Sequence, residues 1–151
     1  MLKRLLRQWE SPPTWALVFA ALIWAQSRGL PLLDLGALGV VAGIGFVGAG
    51  AVLLSAAALQ FRRHRTTILP REVPRAMITD GVYAYSRNPI YVADALILAG
   101  LALIWDAGGL VLVPVFMAVI TRRFILGEEA GLRAHFGAAF DAYAGRVRRW
   151  L

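Results

Sequence analysis

The sequence has no cysteine, and His64 and His135 are its only histidines among 151 residues. The absence of cysteine excludes disulfides, thiolate-bound metals, iron–sulfur clusters and a cysteine nucleophile. Two imidazoles are too few for a histidine-rich metal centre. We therefore expect no metal site in this protein.

Charged residues are also scarce, at 17% of the chain, whereas 59% of the residues are apolar. Soluble domains carry about 25% charged and about 45–50% apolar residues. The mean hydropathy of +0.64 is too high for one small soluble core to bury the apolar excess. Because the length allows one domain, the composition favours a single membrane domain over residues 1–151.

The charge that is present is mostly positive, with 16 Lys and Arg against 9 Asp and Glu and a net charge of +7. A pI near 11.0 raises the question of nucleic acid. The basic residues, however, cluster between long apolar runs, and no basic groove with interleaved aromatics is evident. We therefore expect a membrane as partner and no nucleic acid.

Four apolar stretches approach the roughly 20 residues that a helix needs to cross a bilayer. They lie at about 13–33, 36–61, 89–105 and 109–126. The basic segment Met1 to Trp9 and the run after it resemble a signal peptide, but no small-residue cleavage site precedes a soluble domain. We interpret the first stretch as a retained span and predict an all-α, polytopic protein with four transmembrane helices.

Four spans would place both termini and the central loop, residues 62–88, on one face of the membrane. Fifteen of the sixteen basic residues fall on that face, and only Arg28 lies opposite. Positive residues mark the cytoplasmic side of membrane proteins. The pattern therefore predicts an integral protein of a bacterial-type plasma membrane, with both termini and the polar residues on the cytoplasmic side.

The second apolar stretch is rich in glycine, which predicts close packing against a neighbouring helix because small residues let two backbones approach in lipid. The glycines are Gly36, Gly39, Gly43, Gly45, Gly48 and Gly50.

After the fourth stretch, apolar residues recur at spacings of three and four up to Trp150. This spacing predicts one amphipathic helix over about 128–150. Such a helix would lie at the cytoplasmic membrane surface or fold back over the helix bundle.

Polar residues collect around the start of the third stretch, in a segment from Gly81 to Tyr91. Arg87 offers a planar fork for a carboxylate, and Asn88 offers both donor and acceptor groups. Pro89 is suited to the first turn of a helix. The segment is therefore a candidate site at the membrane boundary.

Two glutamates, Glu128 and Glu129, follow the fourth stretch. Neighbours on a helix point about 100° apart, so only one of them can face a given small ligand. The other is expected to pair with one of three arginines at nearby positions, namely Arg122, Arg123 or Arg133.

Two aspartates lie at the ends of the third stretch. Asp94 stands about 7 Å into it by helical rise, and an acid at that depth is a functional candidate. Asp106, in the turn before the fourth stretch, is interpreted as a solvated turn residue.

Taken in order, these residues carry a resemblance. The series comprises Gly81-Val82-Tyr83, Arg87-Asn88-Pro89-Ile90-Tyr91, Glu128-Glu129, Phe136-Gly137, Phe140, Tyr143 and the basic end up to Trp150. It resembles the small integral-membrane methyltransferases of the isoprenylcysteine carboxyl methyltransferase and phospholipid methyltransferase group. The resemblance covers roughly residues 66 to 151.

The resemblance implies a methyltransferase that uses S-adenosyl-L-methionine from a cytoplasmic pocket and reaches a lipophilic substrate through a lipid-facing tunnel. The acceptor would be an isoprenyl-type carboxylate, a phospholipid amine or another small hydrophobic nucleophile. The implied cofactor-binding residues are Gly81, Tyr83, Arg87, Asn88, Pro89, Tyr91, Glu128 and Glu129. The catalytic candidates are Arg87, Glu128, Glu129 and Asp94.

Arg87 would hold the cofactor's carboxylate, and a glutamate would take its amino group or ribose hydroxyls. Where an acceptor must lose a proton, the base would be Glu128, Glu129 or Asp94.

The chain departs from the family pattern at two positions. Asn88 replaces a histidine, and an amide can keep a hydrogen bond but cannot act as an acid or base. Ala93 replaces a glycine and adds a methyl group. These departures favour an alternative, a non-catalytic relative that acts as a lipid-binding or helical partner protein.

Overall fold

The computed structural model describes residues 11–65 and 76–151. Within these ranges the chain is helical and contains no strand, which confirms the all-α prediction. The α-helices are α1 (Pro12–Gly29), α2 (Gly36–Arg63), α3 (Pro89–Trp105), α4 (Leu112–Ile120), α5 (Leu126–Phe136) and α6 (Ala138–Arg146). Shorter helical turns lie at Gly81–Ala84, at Ala107–Val111 and, as a π turn, at Thr121–Ile125. The basic N-terminal segment and part of the central loop lie outside the described residues.

Among the described residues, two continuous helices are long and apolar enough to cross a membrane, α2 and the run Ala107–Phe136 that contains α4 and α5. The second is ten residues longer at its end than the predicted stretch, because the π turn continues the helix into α5. The helix α3 is apolar but has 17 residues, about 26 Å of helical rise. The helix α1 begins at Pro12 and ends at Gly29, four residues before the predicted end.

The outward faces of these helices are apolar. Leu38 and Val52 on α2 are 72% and 71% exposed, and Leu17 on α1 is 72% exposed. In the most apolar 18-residue segment of α2, only 17% of the residues are buried, so α2 is not the core helix of a soluble protein. Soluble monomers rarely expose such a continuous apolar surface to water. The chain is a membrane protein.

The helices α2 and α3 pack backbone to backbone through glycine. A β-carbon built on Gly43 would lie 2.5 Å from the carbonyl oxygen of Gly100, and one on Gly50 would lie 2.8 Å from that of Ala93. Gly39 meets the backbone of Leu103 in the same way. The predicted close packing is therefore confirmed for one face of α2. The remaining glycines of the predicted set, at 36, 45 and 48, have open space around them.

The far end of the bundle is held by Asp106, which the sequence presents as a solvated turn residue. That interpretation is wrong, because the residue is 3% exposed. Its carboxylate accepts hydrogen bonds from the side chain of Gln26 at 2.8 Å and from the backbone N–H groups of Leu33 at 2.8 Å and Gly108 at 3.1 Å. The bond from Gln26 is the main reason that the pKa of Asp106 lies below its usual value. Asp106 thus ties the α1–α2 connection to the end of α3.

The predicted helix 128–150 is two helices in the structure. The chain breaks at Gly137, whose φ of +53° suits glycine, and α6 ends at Arg146. Residues 147–151, the C-terminal strap, then return to the start of α3, where the backbone N–H of Arg87 donates to the carbonyl of Arg148 at 2.9 Å. This return brings the end of the chain to the polar residues.

Candidate functional site

The start of α3 forms the centre of a polar cluster. Asn88 occupies the N-cap position and Pro89 the first turn, where a missing N–H costs nothing. The Asn88 side chain donates to the carbonyl of Arg149 at 2.9 Å. Asn88 therefore joins the helix start to the C-terminal strap, the hydrogen-bonding role that an amide can keep.

An ion-pair triad around a buried glutamate lies beside this helix start. Glu129 has a side chain only 9% exposed, and its carboxylate lies between two guanidinium groups. Arg149 binds it with both prongs of its fork, at 2.9 and 2.8 Å, and Arg87 approaches to 3.1 Å. The hydrogen bonds to Glu129 also raise the pKa of Arg149. Glu129 is thus fully engaged by protein groups.

Glu128 has different surroundings. One of its carboxylate oxygens accepts a hydrogen bond from the hydroxyl of Tyr91 at 2.9 Å. The other accepts none from the residues at 11–65 and 76–151. Glu128 is therefore the glutamate with acceptor capacity left for a ligand.

The arginines predicted to pair with one of the two glutamates were the wrong ones. Neither glutamate forms an ion pair with an arginine at 122, 123 or 133 in the described structure; Arg133 instead pairs with Asp141 at 2.8 Å. The partner that the sequence left out is Arg149, because a residue 20 positions away on another segment cannot be found from helical spacing.

One nitrogen of the Arg87 guanidinium group has no hydrogen-bond partner among the described residues. The Nη1 of Arg87 donates to the carbonyl of Ala144 at 3.2 Å, and its Nη2 faces Glu129. Its Nε–H is buried and has no hydrogen-bond partner among the described residues. An unpaired buried donor is costly, so this N–H is a candidate donor to a ligand.

Gly81 and Tyr83 lie in the helical turn that precedes α3. Gly81 has a φ of +57°, and a β-carbon there would collide with the Gln60 side chain, which itself donates to the carbonyl of Asp80. The carbonyl of Tyr83 accepts a buried hydrogen bond from the hydroxyl of Tyr143 at 2.7 Å. These contacts fix the turn against α2 and α6.

The side chain of Tyr83 is buried against that of Phe61, with ring centroids 5.8 Å apart. Burial is the main cause of its pKa lying above the usual value. Tyr83 is therefore a neutral, packed side chain, and it supports the loop from beneath.

Asp94 lies one turn after Tyr91 on α3 and is half-buried. It makes no hydrogen bond or ion pair with any residue that the structure describes. Asp94 is therefore close to Tyr91 in the same helix but is not part of the Arg87–Glu129–Arg149 triad.

The π turn at Thr121–Ile125 joins the long last helix to the site. The Thr121 hydroxyl donates to the carbonyl of Met117 at 2.7 Å and accepts from the indole N–H of Trp150 at 3.3 Å. Isolated π turns often occur at functional sites. Here the turn provides the docking point for the C-terminal strap.

Fold and site together define a helical membrane protein with a charged site where the start of α3, α5 and the end of the chain meet. A family model, phospholipid methyltransferase, matches residues 38–139, and the chain belongs to this family. Protein-S-isoprenylcysteine O-methyltransferase of Schizosaccharomyces pombe is 31% identical over 109 residues, which are 69% of this chain and 45% of the relative. The chain thus spans less than half the length of that relative. No solved structure gives a significant match.

Proposed function

We propose that this protein transfers a methyl group from S-adenosyl-L-methionine to a lipophilic acceptor. The observation that carries the proposal is that, within the described parts of the chain, the buried Nε–H of Arg87 and one carboxylate oxygen of Glu128 have no hydrogen-bond partner. The amino-acid part of the cofactor bears a carboxylate and an ammonium group, which match these two groups in charge. Membership of the phospholipid methyltransferase family supports the same reaction.

The residues divide into those that would touch the cofactor and those that hold them in place. Arg87 would bind the carboxylate, and Glu128 would take the amino group or a ribose hydroxyl. Tyr91 orients Glu128 through its hydrogen bond. Glu129 has its oxygens occupied by Arg87 and Arg149, so it holds Arg87 in place.

Four further predicted cofactor residues shape the backbone around the site in this proposal. Asn88 and Pro89 set the start of α3, and Gly81 with Tyr83 shapes the loop above it.

When bound, S-adenosylmethionine supplies a methyl group on a positively charged sulfur. Displacement at that carbon needs alignment and the exclusion of water more than strong acid–base chemistry. The protein meets this need with residues fixed by buried contacts. If the acceptor is an amine, its proton must leave, and the half-buried carboxylates of Asp94 and Glu128 are the bases in reach of α3.

The proposed acceptors are an isoprenyl-type carboxylate, a phospholipid amine or another small hydrophobic nucleophile. Each would enter from the lipid beside α3. The S. pombe relative is named for an isoprenylcysteine substrate and the family for phospholipids, so both classes belong in the assay.

In the proposed topology, α1, α2, α3 and the run Ala107–Phe136 each cross the membrane. The site and the C-terminal strap then face the cytoplasm of a bacterial-type cell. Because the chain has no cysteine, single cysteines can report sidedness directly. In cells, Leu33→Cys should react with an impermeant maleimide and Arg148→Cys should not; the reverse pattern would invert the topology.

Calorimetry on the purified protein tests cofactor binding. Wild type should bind S-adenosylmethionine, and Arg87→Ala and Glu128→Gln should each weaken binding about tenfold or more, since a charge-assisted contact is lost. Arg62→Ala, which removes an exposed arginine at the end of α2, is the matched control and should leave binding unchanged. Absence of binding by wild type would favour the non-catalytic alternative. Equal affinities in all four proteins would refute the residue assignment.

A further inference from the structure

The C-terminal strap contributes a charged residue to the site from outside the family match. The match ends at residue 139, whereas Arg149 lies two residues from the end of the chain. Its guanidinium makes the two shortest contacts to Glu129, and its carbonyl accepts from the Asn88 side chain. Arg149 is therefore attached to both α5 and the start of α3.

The charges of the triad do not cancel. Two guanidiniums and one carboxylate leave one positive charge in the triad, where the side chains of Glu129, Arg87 and Arg149 are 9%, 13% and 35% exposed. Water and salt screen such partly buried charges less than fully exposed ones. Without Arg149, Arg87 would be the remaining ion-pair partner of Glu129 among the described residues, and that pair would be neutral.

The strap and α6 together determine how Arg87 is oriented. The main-chain N–H of Arg87 donates to Arg148 and its Nη1 to Ala144, while Nη2 faces Glu129. A bidentate Arg149 holds that carboxylate in one orientation, as planar forks do. Of the side-chain nitrogens of Arg87, Nε alone is then left buried without a partner in the described structure.

We infer that Arg149 is a positioning residue: it takes up the charge of Glu129, leaves Arg87 with a surplus positive charge, and so makes the site selective for a ligand that bears a carboxylate. The inference rests on the proposed function, because the ligand is the methyl donor. It adds a residue and a selectivity that neither the family match nor the sequence pattern assigns.

The test compares two probes, S-adenosylmethionine and its decarboxylated analogue, by calorimetry on the purified full-length protein. Arg149→Ala should lose about tenfold or more of its affinity for S-adenosylmethionine and less than about twofold for the analogue. Arg149→Lys, which restores the charge but not the fork, should fall between wild type and Arg149→Ala for the first probe. Arg146→Ala, which removes an exposed charge three residues earlier, should match wild type for both.

The ratio of the affinities for the two probes distinguishes a positioning role of Arg149 from a role in folding alone. A merely structural role of Arg149 would weaken both probes equally, and that result would overturn the inference. So would an Arg149→Ala protein that binds both probes as wild type does, or an Arg146→Ala protein with the same selective loss. Failure of the wild type to bind either probe would instead refute the proposed function, and the inference with it.

Discussion

The contact between α2 and α3 sets the position of the site, and single β-carbons can test it. Gly43→Ala would place a methyl group 2.5 Å from both the carbonyl oxygen of Gly100 and the Cγ1 of Ile104. Gly50→Ala would place one 2.6 Å from the Cγ1 of Ile97 and 2.8 Å from the carbonyl of Ala93. A carbonyl oxygen in a helix cannot rotate away, so the helices must separate.

The size of the effect follows from these distances. Optimal contacts between carbon atoms are about 3.5–4.0 Å, so each added methyl group would require α2 and α3 to move apart by roughly 1 Å. Overpacking of this kind costs about 1–3 kcal/mol. Gly48→Ala on the same helix meets nothing within 4 Å. At this position the methyl group only restricts the unfolded chain, so we expect the free energy of unfolding to rise by about 0.4–1 kcal/mol.

Unfolding of the three variants in one detergent, monitored by circular dichroism, measures both the expected losses and the expected gain of stability. We expect Gly43→Ala and Gly50→Ala to be less stable than wild type and Gly48→Ala to be equal or more stable. Gly50→Ala should also weaken cofactor binding, because it displaces Ala93 near the start of α3. Equal stability of all three variants would refute the proposed close approach of the two backbones.

Three further predictions concern residues outside the triad. Tyr143→Phe removes the buried hydrogen bond to Tyr83 and should cost about 0.5–1.5 kcal/mol, whereas Tyr85→Phe, at a side chain 78% exposed, should cost nothing measurable by the same unfolding assay. Burial raises the pKa of Tyr143 from 10.0 to about 12, so its stabilisation is complete below pH 10 and is lost as pH rises towards 12; an alkaline titration of stability should lose this component in Tyr143→Phe and keep it in Tyr85→Phe. Asp106→Asn should lower the melting temperature near neutral pH. Because the folded pKa of Asp106 is lowered, its stabilisation is present above the usual pKa and is lost as pH falls through the folded value, so a variant as acid-sensitive as wild type would contradict this role. Gly81→Ala should reduce methyl-donor binding, and Gln60→Ala in the same chain should restore it only in part, since the positive φ remains strained; full binding by Gly81→Ala alone would show that the loop is not fixed in this way.

Much of the fold could be predicted from one-dimensional patterns. Runs of apolar residues indicate α2 and α3 almost to the residue, because lipid requires them to be continuous. Gly36–Arg63 and Pro89–Trp105 thus match the predicted stretches at nearly every end. The continuation of the helical run Ala107–Phe136 beyond residue 126 could not be predicted, since a π turn has no hydropathy signature.

The contacts of the candidate site were predicted less completely, because some of the residues that meet there come from distant segments. The motif around Arg87 and the glutamate pair could be found from the sequence alone. The engagement of Glu129 by Arg149 depends on the break at Gly137 and the return of the strap, and an amphipathic period continues across both. The buried state of Asp106 depends likewise on backbone N–H groups more than 70 residues away. For the break at Gly137, the glycine itself, within the amphipathic pattern, was the signal in the sequence that a helix could end.

Methyl transfer by the protein in membranes tests the central claim most directly. Membranes that contain wild type or Arg87→Ala are incubated with S-adenosylmethionine labelled in the methyl group, and lipid and protein fractions are counted separately, with membranes lacking the protein as blank. We expect label above the blank in a lipophilic fraction with wild type and a loss of about tenfold or more with Arg87→Ala. Label at the blank level with wild type, or equal label from both proteins, would contradict methyl transfer at this site.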